Sequence, residues 1–341
     1  MKRAFIGLVL LQLVFAACNK EPVYQPDPAD APSTTPLVSV LYDPGALGDM
    51  TYNDLLYEGV ERAAFEAGIR TDQYSPRNKE EGLTYLARLF DQMSNPADTT
   101  RHLLIVAGLS YDAFVRANNR RLEANPRAEL LYFETKKPLE GKGASIHVSM
   151  YGVMYMTGVT SSGQVLIVAA NPYDVAESVA GFQAGFGGTL FMEYLSDQPG
   201  SGYAIRDEDA LHMMYSIDWD PYRSRSIVPL CGGAGAVFRR LAEDDDRFYY
   251  VGVDQVIRSM ACYYTAVKHT DRAVEHCIRQ WLSDEGLPKQ QTLGLADGYT
   301  ELVFCPVLDY LLEQFDILYP EEQREALRQE AIEKEEAYEG R

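Results

Sequence analysis

The chain has 341 residues, 46% of them hydrophobic, with 31 basic against 50 acidic side chains and a formal net charge of −19. That length and apolar content suffice for two packed domains or one large bilobed unit. So acidic a chain offers a nucleic-acid backbone no electrostatic footprint, and nucleic acid is not an expected partner.

Lys2 and Arg3 precede an apolar run over residues 4–17 that is too short to span a bilayer stably, which predicts a signal peptide over residues 1–17. The run ends in Val14-Phe15-Ala16-Ala17-Cys18, similar to the lipobox at which bacteria cleave the chain and diacylate the cysteine, although Phe15 stands where leucine is usual. Cys18 is therefore the expected lipidation site, since two acyl chains anchor a protein firmly where one does not. The plainer alternative is an ordinary signal peptide with an incidental cysteine. Residues 18–36 carry five prolines and no apolar periodicity, the composition of an extended, mobile tether. Cys231, Cys262, Cys277 and Cys305 show neither CxxC nor zinc-like spacing. Export permits a disulfide without requiring one, and no metal or cofactor is expected.

From residue 37 apolar runs alternate with helical patterns. Leu37-Val38-Ser39-Val40-Leu41-Tyr42 reads as a strand, and residues 53–67 as a helix closed by Gly68. A short strand near 72–74, a helix over 79–92, a strand over 103–107 stopped by Gly108, a helix over 111–124 and a strand over 129–133 follow, with Asn125-Pro126 as a break. Continuous apolar strands separated by single helices imply a parallel sheet covered on both faces. After a turn at 136–142 the alternation restarts, with strands over 145–148, 164–169, 189–194, 226–230 and 248–253 and helices between them. An apolar run at 260–267, a helix over 270–283, a strand near 292–295 and a helical tail over 306–341 complete the chain, the last third of the tail reading as a solvated helix. The expected fold is α/β with two lobes, each a mostly parallel sheet flanked by helices. Residues 37–143, completed by about 262–341, form the first lobe, and residues 144–261 the second.

Ligands of open parallel sheets collect at the carboxyl ends of the strands, so the loops just after each strand are where chemistry is expected. The first is Asp43-Pro44-Gly45-Ala46-Leu47-Gly48-Asp49-Met50-Thr51-Tyr52-Asn53, a glycine-bearing loop with an acid, an aromatic ring and an amide before a helix. Later come Cys231-Gly232-Gly233-Ala234-Gly235, whose glycines permit close backbone approach, and Gly252-Val253-Asp254-Gln255.

These pieces, in this order, resemble the basic membrane protein family of binding-protein lipoproteins, of which the purine nucleoside receptor is the type. The family's GGxxDxSFNxxxxxG is similar to residues 45–53 with Gly59, its GFxAG to Gly181-Phe182-Gln183-Ala184-Gly185, its GGxG and GVD to the two glycine-bearing segments above, and its SxxK to Thr265-Ala266-Val267-Lys268. Tyr52 replaces the usual Phe, and the second Asp of the family's GVDxDQ is missing. The resemblance implies a two-lobed fold like that of type I periplasmic binding proteins, with a nucleoside clasped between the lobes by hinge closure. It further implies a lipid-anchored protein of the bacterial cell envelope that delivers its ligand to the permease and ATPase of an ABC importer. Tyr52 would stack on the base, Asp49 and Asn53 would bond polar edges, and Asp254 with Lys268 would hold the ribose or base from the other side. Gly108, Asp112, Tyr194 and Gly233 are weaker additions.

Simpler roles exist for each residue: Asp49 and Asn53 as helix caps, Tyr52 as one of 23 tyrosines, Asp254 in a turn, Lys268 as an exposed charge. No GxSxG elbow, no GxxxxGK-Ser/Thr loop and no strand followed by GxGxxG occurs, so an enzyme is not expected. His269, His276 and Cys277 lack a third spaced ligand for a metal. A sensor that reports the ligand to a membrane partner is the first alternative, and a hydrolase on the same fold the second.

Overall fold

The computed structural model describes residues 35–44, 47–49, 51–304 and 320–340. The expected signal peptide, Cys18, nearly all of the tether, and residues 306–319 of the tail lie outside them. One six-stranded sheet contains β1 (Leu37–Tyr42), β2 (Arg70–Tyr74), β3 (His102–Ala107), β4 (Ala128–Phe133), β5 (Ala144–Val148) and β11 (Gln290–Leu293), in the order β11-β5-β4-β3-β1-β2, all parallel. The other contains β6 (Gln164–Ala169), β7 (Thr189–Tyr194), β8 (Arg225–Leu230), β9 (Tyr249–Asp254), β10 (Cys262–Lys268) and β12 (Thr300–Phe304), in the order β12-β10-β9-β8-β6-β7. Only β12 is antiparallel to its neighbour. The two orders superimpose strand for strand, so β4 and β9 hold the same place, as do β5 and β10.

Both faces of each sheet are covered, which is why the strands read as unbroken apolar runs. Along β3 the pleat sends Leu103, Ile105 and Ala107 into one core and Leu104 and Val106 into another. The first core is closed by α1 (Tyr52–Ala67) and α8 (Thr270–Leu282), the second by α2 (Lys79–Met93) and α3 (Asp112–Asn118). In the other lobe α4 (Tyr151–Thr160) and α5 (Ala176–Gly185) cover one face, and α6 (Asp207–Ser216) and α7 (Gly235–Asp244) the other. The described residues form one compact unit with these cores inside it.

Two boundaries differ from expectation. β5 joins the first sheet instead of opening the second lobe, and β10 and β12 lie in the second sheet instead of completing the first. Apolar rhythm marks a strand but not the sheet that receives it. Among the described residues the chain therefore crosses between sheets three times, at residues 149–150, at His269 and at residues 294–299. Because β5 neighbours β11 and β10 neighbours β12, the crossings run side by side and bond to one another, Ser149 N donating to Leu293 O (2.7 Å) and His269 N to Tyr299 O (2.9 Å).

The helix α9 (Glu321–Glu339), which includes the last third of the tail expected to be solvated, docks on these crossings. Ala331 and Ile332 pack with Tyr155, Met156 and Leu295. The buried Glu335 carboxylate accepts from Gly152 N (3.1 Å) and Leu295 N (2.9 Å), tying the first crossing to the third. Charge periodicity hid this, because the decisive buried residue is itself a glutamate.

The motif glycines serve packing. A methyl group at Gly59 would stand 2.7 Å from Asp271 Cα, where α1 crosses α8. Methyl groups at Gly181 and Gly185 would overlap the carbonyl oxygens of Tyr151 and Tyr155 on α4. Gly181→Ala and Gly185→Ala should each destabilise the fold by about 1–3 kcal/mol, read by urea unfolding. Helix propensity alone would stabilise by roughly 1 kcal/mol, so the sign of the change tests the contact.

Candidate ligand-binding cleft

The carboxyl ends of the two sheets face each other. From the first lobe come Asp43, directly after β1, Gly108 after β3, Glu134 after β4, and Tyr52 and Asn53 in the first turn of α1. From the second come Asp174 after β6, Tyr203 after β7, Gly233 after β8, Asp254 at the end of β9 and Lys268 at the end of β10. The lobes touch here. Lys268 Nζ lies 2.9 Å from Glu134 Oε2, and methyl groups built on Gly233 and Gly200 would stand 3.3 Å from Asp49 Cβ and from Ser110 Oγ respectively.

Glu134 and Asp254 are the only non-glycine residues with positive φ among the described residues, at 66° and 67°. They follow or end the equivalent strands β4 and β9, and both carboxylates act on the Lys268 ammonium. Left-handed backbone costs a side-chain-bearing residue about 1–3 kcal/mol, and such strain concentrates at functional sites. Its repetition at matching places in two lobes marks the cleft independently of any motif.

Of the cleft residues just named, four on the first lobe's side each carry a buried polar atom with no hydrogen-bond partner among the described residues: Asp43 Oδ1, Tyr52 Oη, Asn53 Oδ1 and Glu134 Oε1. Each such atom costs about 1–3 kcal/mol unless something bonds it. Tyr52 has Phe133 6.4 Å away, ring to ring, and Lys268 Nζ 5.5 Å from its own ring centre, so what it leaves unengaged is the hydroxyl. Asp49 is engaged as a helix cap, accepting from Thr51 N (2.8 Å), Asn53 N (3.1 Å) and Asn53 Nδ2 (2.8 Å). On the opposite side Asp174 Oδ2 accepts from Tyr203 Oη (3.1 Å), Asn171 Nδ2 (2.6 Å) and Gly200 N (2.8 Å).

The cleft is acidic. Asp43, Asp49, Asp174, Glu134 and Asp254 face one lysine, with His147 behind Glu134. Burial pushes Asp43 and Asp254 each up to about 6, more than Lys268 offsets at Asp254. Burial also opposes ionisation of Glu134, but Lys268 and then His147 hold its carboxyl below the usual range.

The other expected residues stand apart or play supporting parts. Asp112 pairs with Arg116 on α3 at 2.8 Å. Tyr194 ends the edge strand β7 and is 42% exposed. A methyl group on Gly108 would overlap the Asp43 carboxyl, so that glycine makes room for the acid. Sequence reasoning passed over Asp43 and Glu134, although each is the first residue after an apolar strand and the strand-end rule covers both. Asp174 and Tyr203 carried no comparable signal. His147, Glu177 and Glu339 have the donor set of a metal site, but the Lys136 ammonium pairs with both glutamates and fills that role.

No protein-family model matches the chain. Over 86 residues, a quarter of the chain, it is 35% identical to an uncharacterized lipoprotein of Pyrococcus horikoshii, and over 52 residues 38% identical to one of Pyrococcus furiosus. The matched stretches span 20% and 13% of those relatives' own lengths. Among solved structures, an ABC transporter solute-binding protein from Aeropyrum pernix K1 aligns with 88% of this chain and 86% of its own, at a TM-score of 0.63 and 18% identity. The two share a two-lobed α/β fold. A transcriptional activator of the comK gene from Bacillus halodurans (TM-score 0.59, 16% identity, 82% and 94% covered) and a glucose-galactose binding protein from Geobacillus stearothermophilus (0.57, 15%, 81% and 99%) share it.

A carboxyl raised from 3.8 to about 6 destabilises the folded state progressively between pH 4 and 6, and the full penalty stands above pH 6. Asp254→Asn should therefore be more stable than the parent at pH 8, by on the order of 1–2 kcal/mol, and indistinguishable from it at pH 4. Thermal unfolding at the two pH values measures the difference.

Proposed function

We propose that this chain is a lipid-anchored solute-binding protein that captures a nucleoside, most of all a purine nucleoside, between its lobes and delivers it to an ABC-type importer. The observation that carries the reading is the convergence of four unpartnered buried polar atoms with the Asp254 carboxylate and the Lys268 ammonium on one interlobe cleft. Such an array suits a ligand rich in hydroxyls and ring nitrogens, because carboxylates and a lysine pair well with hydroxyl groups. The excess of acid over base disfavours phosphates and carboxylates, which would meet like charge in a shielded space. Nucleoside as the ligand class comes from the resemblance to the basic membrane protein family. Tyr52 enters as a hydroxyl donor and ring edge, and Asp49 as the cap that fixes Tyr52 and Asn53. The naming of the Pyrococcus relatives as lipoproteins supports a lipid anchor in the cell envelope, for which Cys18 is the candidate.

A free sugar is the second reading, favoured by the glucose-galactose binding protein that shares the fold. Thermal unfolding of residues 34–341 with purine and pyrimidine nucleosides, their 5′-monophosphates, free bases, hexoses and amino acids separates the two. A ligand at about a hundred times its Kd adds about 2.7 kcal/mol of stability, a shift of several degrees. A rise with inosine, guanosine or adenosine, absent with their monophosphates and lost in Asp254→Ala, is the expected result. A response to hexoses alone would retain the binding fold and reject the nucleoside.

A further inference from the structure

From the cleft to the terminal helix the ionic side chains alternate in sign without a gap. Lys268, at the end of β10 in the second lobe, bonds Glu134 Oε2 of the first lobe at 2.9 Å. The same oxygen lies 3.5 Å from His147 Nδ1 on β5, and His147 Nε2 is 2.8 Å from Glu177 Oε2 on α5 of the second lobe. Glu177 also pairs with Lys136 of the first lobe, whose ammonium lies 2.6 Å from Glu339 Oε1 on α9. Three of the five links pass from lobe to lobe.

We infer that this chain of charges is an interlobe latch, and that His147 and Glu177 are positioning residues that set ligand affinity by holding the lobes together without touching the ligand. The inference rests on the reading of the cleft as a binding site. Its links differ from surface pairs because Lys268, Glu134, His147 and Glu177 have side chains only 11–15% exposed, so solvent screens them little. Glu177 is also fixed to the first crossing, accepting from Met150 N (2.7 Å), Tyr151 N (3.2 Å) and Ser149 Oγ (2.7 Å). At the other end, Glu134 belongs to the latch through Oε2 and to the cleft through the unpartnered Oε1. A ligand atom that bonds Oε1 is thereby coupled to the crossings. Burial would drive His147 to lose its proton, but its bonds to Glu134 and Glu177 raise it to about 9, so the imidazolium link persists at neutral pH.

Small-angle X-ray scattering of residues 34–341 without added solute, paired with calorimetric titration of inosine, tests the latch. His147→Gln and Glu177→Gln should each enlarge the radius of gyration and weaken inosine binding about tenfold, while cooperative melting shows that they still fold. His147→Lys, which keeps a cation between the glutamates, should recover most of both. Unchanged scattering in both glutamine variants overturns the latch, and so does weaker inosine binding without any change in scattering. If the parent binds no inosine, the nucleoside reading fails by itself and the scattering still decides the latch.

Discussion

Lys268 and Glu134 meet at 2.9 Å with side chains 11% and 15% exposed, one from each lobe. Neither charge could be so shielded alone, since an unpaired buried ion is destabilising by several kcal/mol. Their meeting therefore requires the two strand ends to face each other at bonding distance. Asp254 also acts on that ammonium, and burial leaves it only weakly acidic, so the lysine is the point on which both carboxylates depend. Glu134 and Asp254 both hold a left-handed backbone, a local strain repeated at the two equivalent strand ends.

Two sheets with the same strand order place equivalent loops opposite one another, so one architecture repeated twice builds a single cleft. The crossings that join the repeats lie along one edge, where β5, β11, β10 and β12 are neighbours. Around that edge hydrogen bonds between crossings, the buried Glu335 and the charges from Lys136 to Glu177 gather. Tyr338 stacks on Tyr151 with ring centres 4.3 Å apart, adding an apolar contact. Opening about this edge would separate the far sides of the cleft most, the geometry of hinge closure.

Several residues that stand out in the sequence act on structure, and through structure on the cleft. Asp49 caps α1 and so fixes Tyr52 and Asn53. Gly59, Gly181 and Gly185 let helices approach where a side chain would collide with backbone. Gly108 admits the Asp43 carboxyl and Gly233 lets the lobes meet at Asp49. The motif residues thus set the shape of the cleft as much as its chemistry, which is why motif position alone does not identify a ligand contact.

The sequence by itself determined the alternation of strand and helix, the covering of both sheet faces, and the strand ends as the place for polar groups. These follow from local periodicity: an apolar run such as Leu103 to Ala107 has no exposed face to offer. It also singled out Asp254, which follows an apolar strand, whereas Lys268 was singled out only by the family resemblance. Tertiary structure alone decided that β5 joins the first sheet and β10 and β12 the second, since any strand with two apolar faces fits either sheet. It alone joined Glu134 to Lys268 and His147 to Glu177, pairs 134 and 30 positions apart. It alone turned Glu335 from an apparently solvated charge into a buried cap. Long-range ion pairs and buried caps depend on which backbone atoms the folded chain brings near a carboxylate, and no local period encodes that distance.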